Sequence, residues 1–113
     1  LNNYGNHTRD FTYISDVKEI LYLLLKKKIS QNEVLNICSN NPVKITKILK
    51  IINHNFDSKP KIYMRSFQRA DVKKTHGSNK KIKKFCNKKK FVPLNTALNN
   101  TCNWYKKNWK IFT

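Results

Sequence analysis

The chain has 113 residues, of which 39% are hydrophobic, so it has room for one small domain or part of a larger one, and not for two cores. Three cysteines without a C-x-x-C pair and three scattered histidines argue against a disulfide framework and a metal site, and the longest apolar run is far too short to span a membrane. The net charge of +18 suits an anionic partner, although the lysines accompany many asparagines and isoleucines, so we interpret most of them as dispersed over solvated faces.

The first half of the chain predicts a strand, a helix and a second strand. Residues 9–14 (RDFTYI) alternate and are rich in aromatic and β-branched residues, as in a short strand. Ser15 or Asp16 then offers an N-cap oxygen to a helix, which a loop follows at 29–33. Residues 34–38 (VLNIC) predict a buried strand of the kind found in parallel sheets. The inner stripe of the helix is predicted to be Val17, Ile20, Leu21 and Leu24.

The second half predicts a helix, a strand, a long loop and two more helices. Apolar residues recur at helical spacing after Pro42, and residues 61–67 (KIYMRSF) suit a third short strand. Residues 68–77 (QRADVKKTHG) have no periodicity and predict an irregular loop. Ser78 is placed to cap a short helix, and Pro93 stands where the last helix begins. The inner positions of the three helices are predicted to be Ile45, Ile48, Leu49 and Ile52, then Ile82 and Phe85, and finally Leu94, Ala97, Leu98, Thr101 and Tyr105, with Cys102 beside them.

This order of elements predicts an α/β fold in which short parallel strands alternate with helices and the chain ends in two helices. Three short strands leave several apolar helix faces without partners. The sequence also begins at Leu1, without a methionine. We therefore expect a portion of a longer, cytoplasmic protein, whose remaining core comes from the chain upstream or from another subunit.

Four segments carry a resemblance to a known family. They are YGNHTRDFTYISDV, LNICSNNPV, QRADV and FVPLNTALNNTCNWYKKN. In order and spacing they resemble the C-terminal third of extended short-chain dehydrogenase/reductases, specifically the NAD-dependent nucleotide-sugar epimerases and dehydratases, and among these the UDP-glucuronate 4-epimerase-like proteins. The resemblance implies that residues 1–113 are the UDP-sugar-binding, C-terminal portion of a Rossmann-type epimerase that serves polysaccharide biosynthesis. It further implies that NAD is bound by an N-terminal Rossmann half, that residues 1–113 bind no cofactor alone, and that the full-length protein is a homodimer.

Two charged residues receive a role in substrate binding from this resemblance. Arg9 matches the arginine that reaches the diphosphate of the UDP-sugar, and a guanidinium pairs bidentately with phosphate oxygens. The alternative for Arg9 is a surface salt bridge to Asp10 or Asp16. Asp71 matches a carboxylate that accepts hydrogen bonds from the ribose hydroxyls, and the alternative is an exposed loop aspartate.

Three further residues belong to the same implied substrate site. Gln68 stands where relatives carry Gln or Arg facing the phosphates, and Phe11 matches an aromatic residue near the nucleotide, although it also suits an ordinary core position. Asn41, with Asn40, follows the strand predicted at 34–38, where open α/β sheets place ligands; turn formation is the alternative for both.

The sequence departs from the family pattern in two places and lacks its catalytic residues. Arg69 and Ala70 replace the usual Pro-Gly of the loop, which puts its geometry in doubt if that glycine has positive φ. Cys38 replaces a glycine at the end of the second predicted strand. The glycine-rich dinucleotide fingerprint and the catalytic Tyr-x-x-x-Lys pair lie upstream in relatives, and we interpret the Tyr22 to Lys26 spacing as chance.

Two other functions remain open from the sequence. A small basic nucleic-acid-binding protein would track phosphates with the lysines of residues 80–90 and stack bases on Trp104, Tyr105 and Trp109. The family resemblance weighs against this, because Trp104 and Tyr105 match a helix-packing Trp-Tyr pair. A truncated gene product without activity is the third hypothesis.

Overall fold

The computed structural model describes residues 1–28 and 32–112. Within these residues it contains four α-helices and two short strands, so the predicted α/β class is confirmed. The chain ends in two helices as predicted, followed by a short 3-10 turn. The loop predicted at 29–33 lies partly outside the described residues. The elements are β1 Thr8–Asp10, α1 Ile14–Leu25, β2 Pro42–Lys44, α2 Ile45–Phe56, α3 Lys80–Cys86 and α4 Leu94–Asn108.

The sheet differs from the prediction of parallel strands. β1 pairs with β2 in antiparallel register, with Arg9 opposite Val43. Residues 34–38 and 61–67 form no strand in the described structure. Among the residues described, none forms a strand beside residues 34–38, and an extended segment becomes a strand only by pairing with a neighbour. Residues 61–67 are exposed and exchange isolated backbone hydrogen bonds with the first four residues of the chain.

One small core lies between α1 and α3. Ile20 and Ile82 are fully inaccessible to solvent, and Leu35 and Ile37 pack against them. Leu21, predicted on the inner stripe of α1, is instead 51% exposed, because α1 turns the face that carries Ile20 toward α3. The sequence therefore predicted the helix correctly and part of its buried face incorrectly.

A buried ion pair between Lys88 and Asp16, with the exposed Glu19 beside it, connects the residues before α4 to α1. Asp16 was a candidate N-cap, but the cap position is Tyr13, and Asp16 lies inside the first turn at 2% exposure. The Lys88 ammonium lies 3.0 Å from Asp16 and 2.7 Å from Glu19, and the Val92 amide donates to Asp16. Burial works to lower the pKa of Lys88, but the hydrogen bonds to Glu19 and Asp16 outweigh it and raise that pKa above its usual value.

The helices α2 and α4 pack against each other. Ile48 of α2 and Ala97 and Cys102 of α4 are buried, and the Phe56 ring meets the Tyr105 ring edge-on at 6.0 Å between centroids. Tyr105 nevertheless stays 47% exposed. The other correction to the predicted stripe of α4 is Thr101, which is also exposed.

The predicted cap of α3 also changes by one residue. The cap position is Asn79, without a side-chain bond to the helix, and the buried residues of α3 are Ile82 and Cys86; Phe85 is only partly buried. Pro93 precedes α4 as predicted.

The described chain is extended for its length. Its radius of gyration is 17.0 Å and its dimensions are 52 × 37 × 25 Å. A self-contained domain of this length is expected to have a radius of gyration of about 13 Å. No helix among the described residues has the length and apolar character needed to cross a membrane.

Candidate functional site

The loop at residues 68–77 runs back along β1. The Thr8 amide donates to the Lys73 carbonyl at 3.0 Å, and the Thr75 amide donates to the Thr8 carbonyl at 3.1 Å. Thr8 and Lys74 thereby form an isolated parallel bridge on the side of β1 that β2 does not occupy. This backbone pairing places Asp71 beside Arg9, although 62 residues separate them.

Arg9 and Asp71 form an ion pair at the surface. Nη2 of Arg9 donates to Oδ1 of Asp71 at 2.7 Å, and Nη1 donates to the Thr8 carbonyl at 3.0 Å. The two side chains are 25% and 29% exposed. A guanidinium has five N–H donors, so these two bonds orient its plane and leave donors for an anion at the surface. Arg9 therefore pairs with Asp71, another predicted site residue, and not with Asp10 or Asp16.

His7 is buried next to Asp71, and the sequence analysis did not predict it. Its side chain is 6% exposed, its ring centroid lies 6.1 Å from that of Phe67, and Nε2 lies 3.4 Å from Oδ2 of Asp71. Nε2 makes no hydrogen bond with any described group. The sequence spacing could have indicated this position. Residues two apart in an extended segment point to the same side, so His7 lies on the same side as Arg9.

Gln68 begins the turn that presents Asp71. The Asp71 amide donates to the Gln68 carbonyl at 3.0 Å, and the Gln68 side chain accepts a hydrogen bond from Asn2 at 3.1 Å. Neither Arg69 nor Ala70 has positive φ. The turn therefore closes without a glycine at position 70.

Asp10 organises the loop after residues 34–38, a role that the sequence analysis also missed. It accepts hydrogen bonds from the Ser39 hydroxyl at 2.5 Å and from the amides of Asn40, Asn41 and Gly77 at 3.1 to 3.3 Å. Partial burial works to raise the pKa of Asp10, but the bonds from Ser39, Gly77, Asn41 and Asn40 outweigh it and hold that pKa below its usual value. Both asparagines donate their backbone amides to Asp10, and Asn40 has a positive φ of 57°.

Cys38 fills space against Gly77. A Cβ added at Gly77 would lie 2.6 Å from the Cys38 sulfur, so this contact needs glycine. Burial and the nearby charge of Asp10 raise the pKa of the Cys38 thiol. Cys38 is therefore a packing residue with an unactivated thiol.

Phe11 and Asn41 line a cleft of about 450 Å³ between the end of β1 and the start of α4. Its basic residues are Lys83, Lys89 and Lys90, and no acidic residue lines it. Arg9, Gln68 and Asp71 do not line this cleft. The structure thus brings Arg9, Asp71 and Gln68 to one side of β1, and Phe11 and Asn41 to a separate cleft. In the described part of the chain, no group of three or more His, Cys, Asp or Glu side chains is placed to hold a metal ion.

No protein-family model matches the chain. The chain is 33% identical over 105 residues to a UDP-glucuronate 4-epimerase of Thermodesulfobacterium geofontis, and 34% identical over 106 residues to an uncharacterised protein of Methanocaldococcus jannaschii. These alignments cover 92% and 94% of this chain and 32% of each relative. The chain therefore spans about a third of the length of the curated relatives it matches.

The fold agrees with the sequence comparison. A UDP-glucuronic acid 4-epimerase of Bacillus cereus, solved with UDP-glucuronic acid and NAD, superposes with a TM-score of 0.81 at 23% identity, over 95% of this chain and 35% of that protein. The resemblance to the C-terminal part of NAD-dependent nucleotide-sugar epimerases of the extended short-chain dehydrogenase/reductase family is confirmed.

Proposed function

We propose that residues 1–113 are the UDP-sugar-binding portion of an NAD-dependent nucleotide-sugar epimerase of the UDP-glucuronate 4-epimerase kind. The observation that carries the proposal is the contact of Arg9 with Asp71. Two motifs far apart in the sequence meet at this contact, which lies at the surface. Two hydrogen bonds hold the Arg9 guanidinium in place, and its other N–H donors remain available to a ligand. A cation of this kind suits a diphosphate, and the adjacent carboxylate suits vicinal hydroxyls.

Each proposed site residue has one role. Arg9 donates to the diphosphate, Asp71 accepts from the ribose hydroxyls, and Gln68 faces the phosphates from the turn that carries Asp71. Phe11 packs near the nucleotide, and Asn41 lies at the mouth of the neighbouring cleft. The buried His7 ring lies next to Asp71, with Nε2 3.4 Å from Oδ2 of the carboxylate.

NAD does not fit residues 1–113. A dinucleotide pyrophosphate needs a glycine-rich turn at a helix N-terminus, and this chain has only two glycines, Gly5 and Gly77. Gly77 packs its backbone against Cys38 and donates to Asp10, and the element that follows Gly5 is the strand β1 and not a helix. Neither glycine therefore belongs to such a turn. The cofactor and the catalytic residues therefore belong to an NAD-binding portion outside these residues, and we propose a homodimer for the complete enzyme.

The Tyr22 and Lys26 pair does not replace the catalytic pair. The Lys26 ammonium lies 4.2 Å from the centroid of the Tyr22 ring, over its face, and both side chains are exposed at the end of α1. A cation over the ring face is an ordinary surface contact and does not activate the phenol oxygen.

The proposal is tested by restoring the missing portion. We would join residues 1–113 behind the first two thirds of the T. geofontis epimerase and titrate the chimera with UDP and with uridine by calorimetry. We expect both to bind and UDP to bind more tightly, because only UDP reaches Arg9. A chimera that is folded and binds neither ligand, beside a T. geofontis enzyme that binds both, would refute the proposal.

A further inference from the structure

The end of α4 and the 3-10 turn that follows it carry exposed apolar side chains among lysines. Trp104 is 51% exposed and Ile111 is 71% exposed. Lys107 is three residues from Trp104 and four from Ile111, so the three side chains lie along one side of the helix and the turn. Trp109 and Lys110 flank this line, and Trp109 is 47% exposed. We call these five residues the C-terminal patch.

Another side of α4 packs against the end of α2. The Tyr105 ring meets the Phe56 ring edge-on. The Lys106 ammonium lies 5.1 Å from the centroid of the Phe56 ring and donates to the Asn55 carbonyl. Tyr105 and Lys106 thus fix α4 to α2, and this packing leaves the C-terminal patch at the surface of the chain.

Positive charge accompanies the exposed apolar side chains. From Val72 to Thr113 the chain has no Asp or Glu. A groove of about 310 Å³ between α2 and α4 also lacks an acidic residue, and its lining residues are Lys50, Ile51, His54, Asn55, Asn95 and Asn99. The groove leads toward the end of α4, because Asn55 lines it and accepts the hydrogen bond from Lys106. The C-terminal patch therefore belongs to an electropositive part of the surface.

We propose that the C-terminal patch binds an anionic lipid surface, with Trp104 and Ile111 at the level of the headgroups and the lysines on lipid phosphates. Tryptophan and lysine occur together on helices that lie in the membrane interface. The cores of protein–protein interfaces are instead depleted in lysine. Lipid binding is independent of UDP binding, because Arg9 and Asp71 lie in β1 and in the loop at 68–77.

Two other occupants of the C-terminal patch are disfavoured by its charge. A second copy would bring together two chains of net charge +18, and their repulsion opposes association. A covering portion of the same protein would have to bury Lys107 and Lys110 together with the apolar side chains, and a charged lysine without a partner is costly to bury. A lipid surface that carries negative charge meets both requirements, since it accepts the apolar side chains and neutralises the lysines.

Co-sedimentation with vesicles measures this binding. We would mix the chimera with vesicles of phosphatidylcholine, either alone or with phosphatidylglycerol added, at physiological salt. We expect the chimera to sediment with the mixed vesicles and to stay in solution with the neutral ones. Ile111→Ser should weaken the binding roughly tenfold, because the burial of its side chain is lost. Tyr63→Ser is the matched control, because it removes a side chain that is 72% exposed outside the patch, and it should have no effect.

A pair of charge-matched variants separates the patch from the net charge of the chain. Each lysine near an anionic surface contributes about fivefold to the affinity, so Lys107→Gln with Lys110→Gln should weaken binding roughly 25-fold. Lys59→Gln with Lys61→Gln removes the same charge from exposed positions outside the patch, and it should weaken binding by less than about threefold at physiological salt. Equal losses in the two variants would overturn the assignment to the patch. Melting curves verify that every variant is folded.

Tryptophan emission gives a second, local measurement. Trp104 and Trp109 are the only two tryptophans of the chain, so the emission of residues 1–113 reports on the patch alone. It should shift to shorter wavelength with the mixed vesicles and stay unchanged with the neutral ones.

Three results would overturn the inference. The first is a folded chimera that does not sediment with the mixed vesicles. The second is binding by residues 1–113 that the chimera lacks, because the other portion of the enzyme then covers the patch. The third is a dimer in solution that Ile111→Ser dissociates, because the occupant is then a second copy. The UDP titration of the same chimera decides the proposed function separately.

Discussion

Replacing Arg9 by alanine in the chimera should weaken UDP binding without unfolding the protein. A hydrogen bond to a charged group contributes about 1.5 to 3 kcal/mol, which corresponds to a loss of roughly 10- to 150-fold in affinity. The pair with Asp71 is about one quarter exposed, so its loss should lower the free energy of unfolding by at most about 1 kcal/mol. The expected signature is a large change in affinity with a small change in melting temperature.

Three further variants separate the possible causes of that loss. Arg9→Lys should recover only part of the affinity, because an ammonium keeps the charge and lacks the planar fork that bonds Asp71 and Thr8. Asp71→Asn should weaken UDP and uridine alike, since its proposed partner is the ribose. Arg65→Ala is the matched control, because it removes an exposed arginine to which no site role is assigned, and it should leave UDP affinity unchanged.

The assay is calorimetric titration of UDP and uridine into each chimera, with melting curves to verify folding. NAD affinity should be the same in all variants, because the cofactor belongs to the other portion. If folded Arg9→Ala binds UDP as tightly as the parent does, the arginine is only a structural partner of Asp71, and the assigned site is wrong.

The remaining predictions concern the chain of residues 1–113 itself. It should show no epimerase or dehydrogenase activity with UDP-sugars and added NAD, and chromatographic detection of an interconverted sugar would contradict this. Its affinity for short DNA and RNA should be micromolar or weaker and fall steeply with salt, whereas sequence-specific binding at physiological salt would favour a nucleic-acid-binding protein. Because the pKa of Asp10 is lowered in the folded protein, its carboxylate stabilises the fold at pH values above the usual carboxyl pKa of about 4. This stabilisation is lost as the pH falls through the pKa of Asp10 in the folded state. In Asp10→Asn, the free energy of unfolding measured with urea should therefore change less as the pH is lowered. Gly77→Ala should cost about 1 to 3 kcal/mol of unfolding free energy, and Cys38→Ala in the same chain should restore part of it, because the sulfur is the nearest atom in the clash.

Local patterns predicted the helices, because their apolar spacing and their breakers lie close together in the sequence. The periodicity after Pro42 and the proline before α4 are examples, and both helices form where expected. The loop at 68–77 was also predictable, since it lacks periodicity and contains turn-forming residues. The family motifs then pointed to Arg9 and Asp71, whose contact the structure describes.

The incorrect predictions depend on partners that are distant in the sequence. The pairing of β1 with β2, and the convergence of Ser39 and Gly77 on Asp10, join residues about 30 or more apart, and no local pattern encodes them. Residues 34–38 were predicted as a strand from composition, and composition does not reveal whether a neighbour is present. Leu21 has the spacing of a buried residue and lies on a face that this chain leaves open.

A crystal structure of the chimera with UDP would show whether this chain binds the UDP end of a nucleotide sugar. We expect a diphosphate oxygen about 2.7 to 2.9 Å from the guanidinium of Arg9, and ribose hydroxyls hydrogen-bonded to the carboxylate of Asp71. UDP bound elsewhere, with Arg9 still bonded only to Asp71 and Thr8, would contradict it.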